Sequence, residues 1–203
     1  MLDTARHFQP VKEIKNILDS LSYAKFNVLH WHITAAEAFP LVIPKRNMDQ
    51  ADAWVPEATY NQQDVKTVID YARLRGIRVV CFQDTFCYLL FQIPEIDTPG
   101  HTYSWGKTYP NIIFNCSQSI NTSIIYPRIN NVALDMTKDE TYEVVNDIYA
   151  DVAALFPDGF MHIGGDEVSK GCLYEFNSTI DPWMREHGMN PDLDPKFDQL
   201  LLY

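Results

Sequence analysis

The sequence predicts an α/β fold in which parallel strands alternate with helices. Segments with a helical spacing of apolar residues are interleaved with short apolar runs of strand length, an alternation that favours a parallel sheet. With 203 residues and a hydrophobic content of 46%, the chain has enough apolar material for one compact core. Polar residues follow three of the predicted strands. This is typical of α/β barrels, which carry their functional groups at the C-terminal ends of the strands.

The first half of the chain carries two pairs of a helix and a strand. Apolar residues recur with helical spacing over residues 11–21, and residues 26–33 follow as a buried strand. The same spacing predicts a second helix over residues 65–72, ended by Gly76 in the C-cap position. A second strand is predicted to begin at residues 77–80.

The second half repeats this alternation. Helical spacing over residues 142–155 predicts a third helix, and residues 160–163 follow as a third strand. A last helical segment covers residues 175–187. Within it, Pro182 predicts a break or a restart, because proline lacks the backbone N–H that a helix needs.

Polar residues cluster where the predicted strands end. His30 and His32 lie on one face of the first strand because side chains alternate, and Asp166 and Glu167 follow the third strand as adjacent carboxylates. Upstream, Arg6 could clamp hydroxyls or a carboxylate. Each feature also has a structural interpretation, as a hydrogen-bonded histidine, a solvated acidic turn or a surface ion pair. Polar clusters at successive strand ends favour a functional site.

Charge and hydropathy restrict the class of function. The net charge of −11 argues against a nucleic-acid partner, which needs basic patches. No run reaches the roughly 18 apolar residues of a membrane span, and no signal-peptide pattern opens the chain. Three N-glycosylation sequons nevertheless suggest a secretory route, at Asn115, Asn121 and Asn177. A luminal protein whose leader is missing from this sequence would reconcile these observations.

Four segments of the chain together resemble a known family. They are residues 3–8 (Asp-Thr-Ala-Arg-His-Phe), residues 25–33 (Lys-Phe-Asn-Val-Leu-His-Trp-His-Ile), residues 94–101 (Pro-Glu-Ile-Asp-Thr-Pro-Gly-His) and residues 162–168 (His-Ile-Gly-Gly-Asp-Glu-Val). Their order and spacing are similar to the catalytic barrel of family 20 glycoside hydrolases, the β-N-acetylhexosaminidases of the eukaryotic, lysosomal type. The resemblance implies an incomplete TIM barrel, roughly its first half, because a complete (β/α)₈ barrel needs about 250 residues.

The resemblance also implies roles for individual residues. Glu167 is expected to be the general acid/base and Asp166 its partner. Arg6 is expected to bind sugar hydroxyls, and His101 to belong to the substrate-binding network around them. The supporting residues are expected to be His32 and Asp97. The resemblance implies neither a metal nor another cofactor.

The adjacent acids fit one particular glycosidase mechanism. Two carboxylates that flank a scissile bond stand about 5 Å apart or more, a geometry that neighbouring residues do not readily provide. In the substrate-assisted route, the 2-acetamido oxygen of the sugar attacks the anomeric carbon instead. Asp166 would orient the acetamido group, while Glu167 would protonate the leaving oxygen. Glu167 must begin protonated, which we expect its burial beside Asp166 to favour.

Some positions depart from the family pattern. Ala35 and Ala36 stand where the family usually has one or two aspartates, so an acid expected at the rim of the pocket is missing unless Glu37 partly compensates. Leu173 replaces an aromatic residue. These departures motivate an alternative, a noncatalytic member of the family that binds sugar. A second alternative is a zinc-dependent barrel hydrolase, in which His101 or Asp166 would complete a site begun by the two strand histidines.

Residues 80–92 interrupt a segment that the family reads as one continuous strand. We interpret them as an untranslated insert or retained intron. If they are present in the protein, they are expected to break the strand and displace Glu95, Asp97 and His101. We otherwise interpret residues 1–203 as one partial catalytic domain, and we expect it to be poorly soluble and inactive alone, because half a barrel leaves open sheet edges.

The resemblance implies an oxidising compartment, the lysosome or the secretory route. Cys116 and Cys172 fall where the family has a disulfide, which is consistent with such a compartment. The expected partners are glycans ending in N-acetylhexosamine, with a possible homo- or heterodimer in the full-length form. The sequence leaves open the gluco or galacto preference.

Overall fold

The computed structural model describes residues 1–46, 48, 52–77, 92–115, 132–156, 161–168 and 170–193, without the side chains of residues 92, 93, 115, 170 and 172. Its central element is a parallel three-stranded sheet. Strands β1 (Leu2–Asp3), β2 (Leu29–Thr34) and β3 (Gln92–Ile96) lie side by side in chain order. The prediction of parallel strands that alternate with helices is confirmed.

A fourth segment extends the sheet beyond β3. His162 forms a parallel bridge with Glu95. Around it, the His162 N–H donates to the Pro94 carbonyl at 3.0 Å, and the Thr98 N–H donates to the Ile163 carbonyl at 2.9 Å. This segment is the described part of the strand predicted for residues 160–163. Of the strand predicted for residues 77–80, residues 78–80 lie outside the described residues.

The predicted helices form with small shifts of their ends. They are α1 (Val11–Tyr23), α2 (Gln62–Arg73), α3 (Asp139–Leu155), α4 (Lys170–Glu175) and α5 (Asn177–Glu186). At the start of α2, Asn61 and Asp64 form a reciprocal capping box. The C-cap residue of α2 is Leu74 and not Gly76 as predicted, because the helix ends at Arg73. Gly76 lies two residues further on with a φ of +71°, a backbone conformation that favours glycine.

The last helical segment differs in detail from the prediction. The chain restarts at Phe176, between α4 and α5, while Pro182 lies inside α5. Ile180 and Met184 flank Pro182 and are completely buried, so packing holds the segment helical although one N–H is missing. None of the helices in the described ranges is both long and apolar enough to cross a membrane.

Two apolar clusters hold these elements together. The larger one lies between the sheet and helices α1, α2 and α3 and includes Trp31, whose indole N–H donates to Thr4 Oγ1 at 2.9 Å. The smaller one joins α4 and α5 to an antiparallel pair, β4 (Ile113–Asn115) and β5 (Val132–Leu134). Leu173 is buried in this smaller cluster and contributes to its apolar packing.

Candidate active site

The base of the candidate site is built by the C-terminal ends of the three parallel strands. Asp3 ends β1, His32 lies near the end of β2, and Asp97 directly follows β3. His32 Nδ1 lies 3.5 Å from Asp3 Oδ2, and its Nε2 lies 3.6 Å from Asp97 Oδ2. Because Trp31 faces the helices, the alternation of side chains directs His30 and His32 to the opposite face, as predicted.

A second histidine connects this base to the predicted acid. His101 Nδ1 lies 2.7 Å from Asp97 Oδ2, and His101 Nε2 lies 3.1 Å from Glu167 Oε2. His101 and Glu167 both have positive φ angles, 54° and 51°, in a region that residues with a Cβ sparsely populate. Such backbone conformations cluster at functional sites, where surrounding contacts maintain them. The structure therefore brings Asp97, His101 and Glu167 together.

Mutual charge sets the protonation of this network. Burial alone would raise the pKa of Asp97, but its hydrogen bond with His101 and its contact with His32 outweigh that effect and lower the pKa to about 2. The hydrogen bond with Asp97 raises the pKa of His101. Burial would lower the pKa of His32, but its interactions with Asp3 and Asp97 raise it to about 10. His32 is therefore a cation at neutral pH.

Arg6 lies beside the base, held by two carboxylates. Its Nη1 donates to Asp3 Oδ2 at 2.8 Å, and its Nε lies 3.4 Å from Glu37 Oε1. Asp3 Oδ1 in turn accepts the backbone N–H groups of Ala5 and Arg6. The Arg6 side chain is 39% exposed, so its guanidinium is oriented but accessible to a ligand. This geometry suits the predicted recognition of hydroxyls.

The segment that carries the two acids approaches the base very closely. Gly164 has a φ of +71°, and a Cβ built on it would lie 1.8 Å from Asp97 Oδ1. Asp166 Oδ1 lies 4.0 Å from His101 Nδ1. The absence of a side chain at Gly164 is therefore required by the contact with Asp97, whereas Gly165, with a φ of +102°, has open space beside it.

The expected burial of Glu167 is wrong for this chain. The side chains of Asp166 and Glu167 are 68% and 70% exposed. The physical reason is that, among the described residues, Glu167 contacts His101 on the side that faces the sheet, so its other side stays open to solvent. Ala35 and Ala36, where the resemblance implied acids, are completely buried, and Glu37 is 17% exposed beside Arg6.

His30 belongs to a separate network deeper along the strands. Its Nε2 lies 2.6 Å from Glu95 Oε2, and His162 Nδ1 lies 2.9 Å from Glu95 Oε1. His162 Nδ1 also lies 3.1 Å from the N–H of Gly164. The network therefore joins β2, β3 and the segment that carries the acids.

This separation bears on the zinc alternative. His30 and His32 bind different partners, so they do not begin a shared metal site as that alternative required. The ligand atoms of His30, Glu95 and His162 lie within 4.8 Å of one another. However, the His–Glu contacts of 2.6 and 2.9 Å are shorter than the about 3.3 Å between ligands of a tetrahedral zinc. This geometry is that of a hydrogen-bonded triad.

The predicted insert, cysteines and glycosylation sites lie largely outside the described residues. Residues 80–91, Cys116 and Asn121, together with the side chains of Asn115 and Cys172, lie outside the described residues. Asn177 is half-buried at the start of α5. The displacement expected from residues 80–92 is wrong for the described residues, because β3 pairs with β2 and both Asp97 and His101 reach the site.

Sequence reasoning missed three contributors to the site. Asp3 lies three residues before Arg6, a spacing at which an aspartate side chain typically accepts a hydrogen bond from a nearby backbone N–H. Glu95 lies two residues before Asp97, so strand alternation could have placed it on the same face. His162 lies in the strand before the acids, and its partner could be found only from the pairing of that strand with β3.

Comparison with known proteins gives independent findings. The family model described as "Glycosyl hydrolase family 20, catalytic domain" matches residues 1–200. The chain is 38% identical over 196 residues to beta-hexosaminidase subunit beta of Mus musculus, covering 95% of this chain and 32% of that protein. It is 36% identical over 192 residues to beta-hexosaminidase 3 of Arabidopsis thaliana, covering 94% and 31%. The chain thus spans about a third of the length of these curated relatives.

Solved structures show the same likeness in three dimensions. A GH20 exo-β-N-acetylglucosaminidase from Vibrio harveyi, in complex with N-acetylglucosamine, aligns with a TM-score of 0.72 at 27% identity, covering 93% of this chain and 30% of that one. The GH20 β-N-acetylhexosaminidase of Streptomyces coelicolor A3(2) aligns with a TM-score of 0.64 at 28% identity, covering 93% and 37%. The α/β fold of this chain is therefore similar to the folds of these enzymes.

Proposed function

The chain belongs to glycosyl hydrolase family 20, and on this premise we propose that the protein is a β-N-acetylhexosaminidase. In this proposal it removes terminal, non-reducing N-acetylhexosamine residues from glycans by a substrate-assisted, retaining mechanism. The observation that carries the proposal is the contact of Glu167 with His101, with Asp166 as the adjacent carboxylate.

The placement of the acids supports this route over one with an enzyme nucleophile. Asp166 and Glu167 leave one strand end together and are held against one histidine, so they approach a sugar from the same side. A route with two opposed carboxylates needs them on either side of the scissile bond. If the 2-acetamido oxygen attacks the anomeric carbon, only one enzyme acid has to meet the leaving oxygen. The internal nucleophile also gains from high effective molarity.

Each group then has a defined task. Glu167 gives its proton to the leaving oxygen as the glycosidic bond breaks, then takes a proton from the water that opens the cyclic intermediate. His101, fixed by Asp97, holds the Glu167 carboxyl in position at Oε2. Asp166 orients the acetamido N–H and stabilises the positive charge that develops there. Arg6 donates to sugar hydroxyls beside this centre.

The chain acts in this proposal as the first half of a (β/α)₈ catalytic domain within a longer protein. The chain order of β1, β2, β3 and the segment at His162 supports it, because successive strands are neighbours in such a barrel. Residues beyond this span would then enclose the exposed Asp166 and Glu167. That residues 80–92 are an untranslated insert or retained intron stays a prediction, and in this hypothesis residues 1–203 are a domain fragment that is inactive alone.

Compartment and partners follow from the same premise. The sequons at Asn115, Asn121 and Asn177 support a glycoprotein of the lysosome or the secretory route. Cys116 and Cys172 would form a disulfide in that oxidising compartment. The substrates would be glycans that end in N-acetylhexosamine, and the full-length protein could pair as a homo- or heterodimer.

A comparison of two substrates tests the proposal on the full-length protein. We expect hydrolysis of p-nitrophenyl N-acetyl-β-D-glucosaminide at least about 10³-fold faster than hydrolysis of p-nitrophenyl β-D-glucoside, because only the first carries its own nucleophile. The galactosamine analogue measures the configuration preferred at C4. Equal rates on the acetylated and plain glucosides would refute the mechanism.

A noncatalytic sugar-binding protein is the second candidate. The alanines at positions 35 and 36 favour it, because the acids implied by the resemblance are missing there. Binding of N-acetylglucosamine thiazoline, a mimic of the cyclic intermediate, separates the two. Binding without turnover of any N-acetylhexosaminide would support the second candidate.

A further inference from the structure

The two ends of the candidate site are connected by an unbroken series of ionisable side chains. Arg6 and the acid Glu167 lie at its ends, and each member contacts the next at 2.7 to 3.6 Å. We call this series the charge chain. Its members in order are Arg6, Asp3, His32, Asp97, His101 and Glu167.

We propose that His32 is a positioning residue that couples the sugar-binding Arg6 to the general acid Glu167 through the charge chain. The inference rests on the proposed function and deepens it, because it assigns a task to a buried group that contacts neither the acid nor the sugar site directly.

The shared oxygens of the two aspartates carry the argument. Asp3 Oδ2 serves both Arg6, at 2.8 Å, and His32, at 3.5 Å. Asp97 Oδ2 serves both His101, at 2.7 Å, and His32, at 3.6 Å. In each case one carboxylate oxygen is shared by two nitrogen-bearing side chains, so a stronger contact on one side weakens the contact on the other.

The position of the His32 ring makes its two contacts, with Asp3 and with Asp97, sensitive to each other. Both of its contacts are longer than the 2.7–3.2 Å of ordinary hydrogen bonds, so the ring lies between two carboxylates without a full bond to either. His32 Nε2 and Asp97 Oδ1 have no hydrogen-bond partner among the described residues. A small shift of the ring would therefore complete one hydrogen bond while it lengthens the other contact.

Burial keeps these charges coupled. The side chain of His32 is 6% exposed and that of Asp97 is 2% exposed, so solvent screens their interaction poorly. The charged groups that face His32 are Asp3 from β1, and Glu95 and Asp97 from β3 and its end. When a sugar draws Arg6 away from Asp3, we expect Asp3 to attract His32, which releases Asp97 to hold His101 and Glu167 more firmly.

Two substitutions of His32 test this coupling in the full-length protein. An asparagine amide reaches about the position of Nδ1, and a glutamine amide about the position of Nε2. His32→Asn keeps a donor to Asp3, so we expect kcat to fall about tenfold while KM changes less than about threefold. His32→Gln keeps a donor to Asp97, so we expect KM to rise about tenfold while kcat changes less than about threefold.

His30 supplies the matched control. It lies on the same face of β2, but it contacts Glu95 instead of the charge chain. His30→Asn and His30→Gln should not separate kcat from KM in opposite directions. If His32→Asn and His32→Gln change both constants in parallel, or change neither, the proposal is overturned. If the wild-type protein hydrolyses no N-acetylhexosaminide, the proposed function fails and this inference fails with it.

A measurement without substrate covers the case in which the His32 variants do not fold. Arg6→Lys changes the far end of the charge chain but leaves His32 intact. In protein labelled with ¹⁵N-histidine, we expect this substitution to shift the imidazole nitrogen signals of His32 and His101 and to leave those of His187, which directly follows α5, unchanged. Unshifted His101 signals would overturn the coupling.

Discussion

Two parts of the candidate site differ sharply in how this chain builds them. His32, Asp97 and His101 have side chains that are 2–6% exposed, whereas Asp166 and Glu167 are about two-thirds exposed. The first group rests on paired strands, and the second follows a single bridge between His162 and Glu95. The sheet itself therefore positions the buried group, whereas the two acids proposed to perform the chemistry depend on additional cover.

The largest expected effect comes from the exposed part. Glu167→Gln in the full-length protein removes the transferable proton but keeps the size of the side chain. We expect kcat to fall at least about 10³-fold, while the affinity for N-acetylglucosamine thiazoline changes less than about threefold. Glu186→Gln at the exposed end of α5 is the control. Unchanged hydrolysis by Glu167→Gln would remove Glu167 from the acid/base role.

The ion pairs of the buried His32 should make the stability of the protein depend on pH. His32 has an ordinary pKa of 6.5 that rises to about 10 in the fold, so its ion pairs contribute fully below pH 6.5 and are lost as the pH rises through 10. We expect the unfolding free energy of the wild type to exceed that of His32→Gln by a few kcal/mol at pH 6.5, and the difference to shrink toward pH 10. Urea unfolding at several pH values measures it.

The low-pH side of the same profile has the opposite sign. The pKa of Asp97 falls from 3.8 to about 2 in the fold, so its contribution is present above pH 3.8 and is lost as the pH falls toward 2. A difference between wild type and His32→Gln that stays constant from pH 6.5 to 10 would contradict the buried charge of His32.

The smallest effect is expected at Gly164, where the segment that carries the two acids contacts the buried Asp97. Gly164→Ala places a methyl group against Asp97, whereas Gly165→Ala meets open space. Both glycines have positive φ, so each variant carries a backbone penalty, and the steric contact with Asp97 is specific to Gly164→Ala. We expect Gly164→Ala to be less stable than Gly165→Ala by about 2 kcal/mol. Equal unfolding free energies would mean that the acid-carrying segment moves away from Asp97 without cost.

Local patterns in the sequence predicted the elements well. The periodicity of residues 11–21, 65–72 and 142–155 predicted α1, α2 and α3, because one face of each packs against the sheet. Strand alternation placed His30 and His32 on one face. These features depend on residues near each other in the chain.

Features that depend on pairing between strands could not be predicted in this way. The separation of His30 and His32 into two networks follows from the register that sets Glu95 and Asp97 beside β2. The exposure of the Glu167 side chain likewise depends on which parts of the fold pack over it, and the residues next to it in the sequence do not determine that packing. The restart at Phe176 and not at Pro182 reflects burial of Ile180 and Met184 in a cluster with β4 and β5.

The direction of β3 has a consequence for how this protein tolerates change. Strand β3 begins at Gln92, and Asp97 directly follows its C-terminal end. Residues added before Gln92 therefore join the strand at its N-terminal end, away from the proposed catalytic groups. Extra residues at that end can alter the site only if they slide the strand against its neighbour by whole positions. Evolution, or an engineer, can therefore lengthen the chain there and keep the chemistry, provided that the pairing of His32 with Glu95 is retained.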